Sequence, residues 1–443
     1  MLPDFSEICK QSKNTSMSYV FKKQPNFSLP TKISIPPIET IHLAGGEKLH
    51  ILSTETTSLI GLEIRFNAGI WYQDNSFQSY LTGKMLSEGT RSYSSQQIAE
   101  TIDFYGGYYG VSVEKDIVSA QLIIPKAYLS NILPVISEIL FEPEFPENEL
   151  VIIRENLIHQ INLDNQQSNV IAQKKLNITL FGKDYPYGKI GNPDDVNLID
   201  RKKIIDFYQK HYLHQNAQIF IVGNINKEDV LLIEKHLSPQ RQIIQIEQVE
   251  HIIQPDSLQK HTIYREQSTQ ASIRLGKVLF NIQHPDFIDL HIASVVLGGY
   301  FGSRLMSNLR EDKGYTYGVG SHLVSYFHSG IFGISTDVGL EHTDKAISEI
   351  YHEIDKLHNQ EISEEELSRV KNYLSGSFLK NFDGAFNIMN QYAEQTSMGL
   401  PINQPQQYLD KINNITALRI KELFNTYLQK DSLALITVRK SEQ

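Results

Sequence analysis

Two segments about 200 residues apart in this 443-residue chain share one short pattern. The first reads FYGGYYGVSV and the second reads DKGYTYGVGS, and their glycine, tyrosine, glycine and valine positions agree. The matched residues are Gly106, Tyr109, Gly110 and Val111 in the first segment and Gly314, Tyr317, Gly318 and Val319 in the second. A duplicated pattern constrains the fold strongly, because each copy is expected to build the same local structure.

Two further matches follow in the same order along the chain. The stretch VISEI at 135–139 parallels AISEI at 346–350, and the pair Glu149-Leu150 parallels Glu366-Leu367. The last match is the weakest, because the arginine that follows each pair stands at a different spacing. Three matches in one order indicate an internal duplication.

The predicted elements also recur in one order. Each half begins with a long strand, continues with helical segments and a hairpin, and then has two long helices. Hairpins mixed with runs of helices are typical of α+β domains. We therefore predict an α+β fold of two tandem homologous lobes, each a mixed, largely antiparallel sheet with helices packed on one face.

Changes in composition suggest where the lobes begin and end. Residues 1–37 have few periodic apolar positions and several prolines, which predicts an extended N-terminal arm. A polar, glutamine-rich stretch at 243–259 predicts a linker. These boundaries leave a first lobe at 38–242 and a second lobe at 260–443, each near the usual size of one domain.

Composition also limits the class of partner. A net charge of −10 argues against nucleic acid, and no apolar run is long enough to span a bilayer. Cys9 is the only cysteine, so an internal disulfide and a multi-cysteine metal site are excluded. The first residues lack the apolar core of a signal peptide. These features favour the cytoplasm, with the periplasm as the alternative.

The most informative single segment is 302–321, GSRLMSNLREDKGYTYGVGS. Its pattern predicts a helix that ends at Gly314 and a strand that begins at Tyr315, since glycine just past a helix end adopts the left-handed conformation without penalty. Arg310 then lies in the last helical turn and Tyr317 on the strand. The segment resembles the arginine–tyrosine signature in the C-terminal half of the pitrilysin/insulinase (mitochondrial-processing-peptidase-like) zinc peptidases, and the resemblance covers about residues 38–440.

The resemblance implies roles for this pair. In the family, the arginine and tyrosine bind the substrate backbone opposite the metal. Arginine presents a fork of donors suited to a peptide carbonyl or carboxylate. A tyrosine hydroxyl can donate to the oxyanion that forms when water attacks a peptide bond. We therefore expect Arg310 and Tyr317 to bind peptide substrate.

The zinc motif of the active members is absent. Those members carry His-x-x-Glu-His on a helix shortly before a Gly-Thr pair, because residues i and i+4 lie on one helix face and can both reach zinc. Here the Gly-Thr pair is Gly89-Thr90, and the third ligand position falls on a later helix, NELVIIRENLIHQI. The four substituted positions are Tyr80 and Lys84 for the histidines, Gly83 for the glutamate and Gln160 for the third ligand. We predict that the isolated chain binds no zinc and cleaves no peptide.

Other histidines do not replace this motif. His211 and His214 are spaced i, i+3 without a neighbouring acid, which predicts a partly exposed helix end. His322 and His328 are predicted on one strand, too far apart to bind a metal together. Lys84 has two interpretations: its ammonium could fill the vacated metal position as a fixed cation, or it could be an unconstrained residue facing the cleft.

A chain that keeps the substrate-binding pair and lacks the metal suggests a divided enzyme. We predict a non-catalytic subunit that pairs with a separate zinc-bearing homologue, or forms a homodimer without that partner. It would need no cofactor of its own and would contribute Arg310 and Tyr317 to a shared peptide chamber. The alternatives are a structural subunit and a stand-alone protein that binds extended peptides at a sheet edge. Retention of the pair counts against a purely structural role.

Overall fold

Two separate β-sheets, one in each half of the chain, organise the molecule. In the computed structural model, which describes residues 29–212, 217–238 and 251–441, the first sheet has the strand order β1-β2-β6-β3-β5-β4 and the second has β7-β11-β8-β10-β9. The strands are β1 Glu39–His42, β2 Lys48–Ser53, β3 Leu59–Phe66, β4 Tyr108–Val113, β5 Val118–Pro125, β6 Gln218–Gly223, β7 Lys260–Tyr264, β8 Gln270–Leu279, β9 Thr316–Ser325, β10 Gly330–Gly339 and β11 Ala434–Arg439.

Helices connect the strands and cover the sheets. Within the described ranges, none of them combines the length and the apolar character needed to cross a membrane. The α-helices are α1 Gln78–Met85, α2 Ser95–Phe104, α3 Leu129–Phe141, α4 Glu147–Asp164, α5 Ser168–Phe181, α6 Pro193–Asn197, α7 Arg201–His211, α8 Lys227–Leu237, α9 Phe287–Gly298, α10 Thr343–Asn359, α11 Glu364–Lys380, α12 Ala385–Ser397, α13 Gln404–Asn414 and α14 Ala417–Tyr427, and a π-helix spans Met306–Asp312.

The two sheets have the same topology once β1 is set aside. In each, an edge strand pairs in parallel with the last strand of its half, β2 with β6 and β7 with β11, and all other pairs are antiparallel. The repeated glycines also agree, since Gly106 has φ +65° and Gly314 has φ +64°. The predicted α+β fold of two homologous lobes with mixed, largely antiparallel sheets is therefore confirmed.

Alternation along β3 shows how a sheet is covered on both faces. Ile60, Leu62 and Ile64 point into a core formed with helices of the same half. The intervening residues Glu63 and Arg65 point to the opposite face, as the two-residue period of a strand requires, yet they are buried as well. The second face of the first sheet must therefore have a cover of its own.

That cover is α12, a helix from the second half of the chain. Arg65 donates hydrogen bonds to Glu394 of α12 at 2.7 Å and to Ser397 at 3.2 Å. Gly61 leaves room for the ring of Phe386, because an added Cβ would lie 2.7 Å from that ring. The apolar part of this contact joins Leu52, Phe220 and Val222 to Ile388, Met389 and Ala393.

The second sheet receives a helix from the first half in the same way. Helix α5 packs on β8 and β11, and Gly276 of β8 lies against Leu176 and Leu180 of α5. The buried residues of this contact are Ala172, Leu176, Leu180 and Phe181 from α5 and Ile331, Ala434, Ile436 and Val438 from the sheet. The two halves thus exchange one helix each, and each exchanged helix buries the second face of central strands in the other half's sheet.

A third contact between the halves joins the tips of the β4–β5 and β9–β10 hairpins. The carboxylate of Asp116 accepts hydrogen bonds from the Tyr187 hydroxyl and from the backbone N–H of Phe327, the latter at 3.0 Å. Trp71 stacks on His328 with ring centroids 3.7 Å apart. Burial raises the pKa of Asp116. These equivalent hairpins therefore meet in a largely buried aromatic junction.

The described part of the N-terminal arm, from residue 29 to the start of β1, has no helix or strand and crosses between the halves. Asn413 of α13 donates to the carbonyl of Pro30 at 3.0 Å, and Gln406 bonds the backbone of Thr31 and Ile33. Further on, Ile35 and Ile38 pack on the contact between α12 and the first sheet. Residues 1–28 of the predicted arm and 243–250 of the predicted linker lie outside the described residues, as do 239–242 at the end of the predicted first lobe.

The helix exchange predicts that neither half folds independently. Expressed alone, residues 29–238 would leave Leu52, Phe220 and Val222 without α12, and residues 251–441 would lack α5. We expect each fragment to aggregate or to unfold without cooperativity, and the two co-expressed fragments to form a soluble 1:1 complex. Calorimetry of each fragment, with the intact chain as control, checks this; a cooperative unfolding transition in both separate fragments would contradict it.

Candidate functional site

Helix α1 carries three of the four substituted metal positions. Its start is fixed by side chains that bond to the backbone: the Ser79 hydroxyl donates to the carbonyl of Ala68 at 2.6 Å, and the Thr82 hydroxyl donates to Gln78 at 2.8 Å. The buried face of the helix includes Gly83, whereas Lys84 is exposed. Gly83, which we predict to stand where active members have the catalytic glutamate, therefore faces the protein interior.

The space beside Gly83 is occupied by strand β4. A Cβ atom added at Gly83 would lie 2.5 Å from a methyl group of Val113, 3.5 Å from one of Val111 and 3.6 Å from the Tyr212 hydroxyl. The hydroxyls of Tyr212 and Tyr109 are buried without a hydrogen-bond partner among the described residues, and burial raises the pKa of both. The structure thus does not accommodate a glutamate here without movement of β4.

The two histidine positions lie together on the helix surface. The Lys84 ammonium stands 5.8 Å from the centroid of the Tyr80 ring. Burial raises the pKa of the nearby Glu88, with Glu149 adding to this effect and Lys84 opposing it. Lys84 makes no ion pair within 4.0 Å to any residue of the described ranges, so whether it replaces the metal stays a prediction.

Gln160, at the third ligand position, has a different partner. Its amide donates a hydrogen bond of 2.8 Å to Asp164 on the next turn of α4. No hydrogen bond, ion pair or ring contact between described residues joins it to Tyr80 or Lys84. In the described part of the chain, no group of three or more His, Cys, Asp and Glu side chains is placed to hold a metal ion. The residues at the family's zinc position therefore do not fit the ion.

Two expectations about histidines were wrong. His211 is buried rather than partly exposed, because it packs between Tyr72 and Phe207, and burial lowers its pKa to about 4. His328 does not share a strand with His322, because β9 ends at Ser325 and His328 lies in the following turn against Trp71. His214 falls outside the described residues.

Arg310 lies at the predicted corner, in a π-helix rather than an α-helix. The last residues of that helix are closed by bonds from the N–H of Lys313 to Asn308 and from Tyr315 to Leu309, and Gly314 then reverses the chain. The guanidinium carbon of Arg310 stands 5.0 Å from the centroid of the exposed Phe301 ring. π-Helical turns are rare and occur frequently at functional sites.

Tyr317 lies at an irregularity in β9. Val319 pairs with Thr336 and Thr316 pairs with Val338, so Tyr317 and Gly318 together face one residue of β10. Such a bulge changes the direction of side chains locally, and Tyr317 is 88% exposed. Its repeat counterpart, Tyr109, is partly buried, with its hydroxyl in the interior. Since β9 is the last strand of its sheet, Tyr317 stands on a sheet edge without a strand partner on that side among the described residues.

Fold and site together define a bilobal metallopeptidase-like chain without the metal ligands. Two family models match it: that of the insulinase family (peptidase family M16) over residues 51–193, and that of the peptidase M16 inactive domain over residues 198–374. The chain belongs to the insulinase (M16) family.

Relatives and solved structures agree with this placement. An uncharacterized zinc protease of Bacillus subtilis, YmxG, is 22% identical over 81% of this chain and 88% of its own length. The probable inactive metalloprotease YmfF of the same organism is 22% identical over 84% of this chain and 91% of its own length. A crystal structure of a peptidase M16 inactive domain from Pseudomonas fluorescens has a TM-score of 0.83 at 23% identity, covering 91% of this chain and 98% of that one.

The filled space beside Gly83 predicts a cost for restoring the glutamate. Gly83→Glu should lower the free energy of unfolding by about 1–3 kcal/mol, since overpacking a tight contact displaces its neighbours. Val113→Ala should recover part of this loss in the double variant. The matched control is Gly376→Glu on the exposed face of α11, where an added Cβ meets nothing within 4 Å; it should be neutral or stabilising by up to about 1 kcal/mol. Chemical denaturation measures all four proteins, and equal effects of the two glutamates would refute the interpretation.

Proposed function

We propose that this chain is the non-catalytic subunit of a divided zinc metallopeptidase. It pairs with a separate zinc-bearing homologue and supplies Arg310 and Tyr317 to the peptide held at the partner's metal. The observation that carries this proposal is a contrast within one chain. The metal positions are substituted and Gly83 is packed against Val113, whereas the arginine–tyrosine pair is kept and exposed.

Neither member of the pair has an internal role that would explain its retention. Within the described ranges, the side chains of Arg310 and Tyr317 make no hydrogen bond or ion pair, and Arg310 contacts only an exposed aromatic ring. An arginine at a helix end is favourable on its own, but the side chain of Tyr317 is 88% exposed and is not part of the core. A purely structural subunit would need neither feature, which favours a role toward a ligand.

An exposed aromatic patch on the first half supports association with a partner. The patch consists of Phe104, Tyr105, Tyr108 and Tyr128; Phe104 is 82% exposed and Tyr108 59% exposed. Tyr105 contacts both Phe104 and Tyr128 with ring centroids 5.1 and 5.3 Å apart. Contiguous exposed apolar surface of this kind marks interaction sites in soluble proteins. We assign this patch to the interface with the zinc-bearing subunit.

Affinity purification of the tagged chain from its native host tests the pairing. We expect a homologue with His-x-x-Glu-His in the eluate at about one copy per chain. Phe104→Glu should reduce its recovery, whereas Leu231→Glu, at an exposed leucine on α8 outside the patch, should not. If the chain returns alone or with itself, the divided-enzyme proposal fails and a stand-alone peptide-binding protein becomes the better explanation.

Substitution of the pair tests its role in the reconstituted complex. Tyr317→Phe removes only the hydroxyl and should lower kcat by roughly 100-fold if this group is a principal donor to the oxyanion. Arg310→Ala should mainly raise KM, because a backbone anchor serves the ground state and the transition state alike. Steady-state cleavage by the purified complex measures both effects.

Controls for that experiment come from the same sheet. Tyr264→Phe alters an exposed tyrosine on β7, the opposite edge strand, and should leave cleavage unchanged. Thermal melts and recovery of the complex should be the same for all variants, since neither side chain of the pair supports the fold. Parental cleavage by both Tyr317→Phe and Arg310→Ala would show that the pair no longer takes part in catalysis.

A further inference from the structure

The second half contains a cleft that the proposed function does not use. It has a volume of about 470 Å³ and lies among α9, α11, α12, α13 and the end of β9. Its size is in the range of pockets that hold small molecules. The apolar walls include Phe287, Ile288, Val295, Leu323, Phe378 and Met398.

Several neutral polar side chains line this cleft, and two of them, His291 and Gln395, are central to its chemistry. Tyr408 and His291 are joined by a hydrogen bond of 3.0 Å between the tyrosine hydroxyl and Nδ1. Burial lowers the pKa of His291 to about 4, so the ring is neutral near pH 7. The Tyr408 hydroxyl has no other acceptor in the described part of the chain, so we assign the donor role to Tyr408. The ring proton then lies on Nε2, which has no partner among the described residues and can donate to a ligand.

Gln395 supplies the second group. Its side chain is 9% exposed, lines the cleft, and makes no hydrogen bond to any described residue. Its amide is therefore free to donate to and accept from a molecule held in the cleft. His291 and Gln395 lie on different helices, α9 and α12, so the two groups approach the cleft from separate elements.

The charges around the cleft limit the ligand further. Glu394 is the one charged side chain among the described lining residues, and it is already bonded to Arg65 at 2.7 Å. No lysine or arginine of the described chain lines the cleft, so a carboxylate or a phosphate would be buried without a counter-charge. The chemistry therefore excludes fatty acids and nucleotides as good ligands.

We propose that this cleft binds a neutral, mostly apolar small molecule that carries a carbonyl acceptor. The apolar body occupies the space between Phe287, Val295 and Phe378, and the carbonyl accepts from the Gln395 amide and from His291 Nε2. The ligand contacts α12, the helix that covers the first sheet. Its binding should therefore stabilise the intact chain against unfolding.

Prodan, a neutral naphthyl ketone whose emission shifts to the blue in apolar surroundings, is a suitable probe for the purified chain. We expect saturable binding at one site and a raised melting temperature. Gln395→Leu should weaken binding by up to about tenfold, the effect of one lost hydrogen bond. Gln407→Leu, on the exposed face of α13, is the matched control and should bind like the parent.

Two further measurements sharpen the result. Val295→Phe fills the cleft and should abolish saturable binding; if a melt shows that it does not fold, Gln395→Leu decides alone. Anilinonaphthalene sulfonate, an anion, should not displace Prodan. The proposal is overturned if the parent shows no saturable binding, if Gln395→Leu binds like the parent, or if the sulfonate competes equally. None of these assays involves peptide cleavage, so their outcome is independent of the proposed function.

Discussion

A β-sheet has two faces, and in each half of this protein the local helices cover only one of them. The second face of each sheet is covered by a helix from the other half, α12 on the first sheet and α5 on the second. The glycines Gly61 and Gly276 in the central strands give those helices room to approach. The exchange of α5 and α12 fixes how the two halves are placed relative to each other. It therefore also fixes the direction in which Arg310 and Tyr317 point.

The exchange explains why some strand residues would mislead a sequence-based analysis. In LEIRF the polar residues alternate with apolar ones, which is typical of a strand with one face in water. Glu63 and Arg65 are instead buried, because Arg65 pairs with both Glu63 and Glu394. A buried arginine requires partners, and the second partner stands more than 300 positions away in the sequence. No local pattern contains that information.

The repeat, by contrast, was readable from the sequence because it rests on local chemistry. Gly106 and Gly314 both adopt positive φ, a conformation that glycine tolerates best, so the same residue appears in both copies. The α+β fold and its two lobes followed from that repeat. The π-helix around Arg310 and the bulge at Tyr317 could not be predicted in this way. Each arises because backbone hydrogen bonds shift by one residue, and such a shift leaves no trace in the spacing of apolar and polar side chains.

In the candidate site, too, local features could be predicted from the sequence and contacts between distant elements could not. Counting back from Gly89-Thr90 predicts Tyr80, Gly83 and Lys84 as the degenerate zinc-site positions, since the family's motif has a fixed spacing on its helix. Val113, which occupies the space of the missing glutamate, lies on a different element and could not be found by counting. Phe301, whose ring lies beside Arg310, was missed for the same reason. It precedes the helix that carries Arg310, and no sequence spacing predicts the contact.

Helix exchange also determines when, during translation, the first sheet can be covered on its second face. The strands of the first sheet are complete at Gly223, but α12 ends only at Ser397. At roughly 5–20 residues per second, the roughly 170 residues between them take about 10 to 30 seconds to emerge from a ribosome. Throughout that interval Leu52, Phe220 and Val222 have no cover from α12. A nascent chain with an apolar sheet face is a substrate for holding chaperones, so the yield of this protein in a cell depends on the speed of translation through its second half.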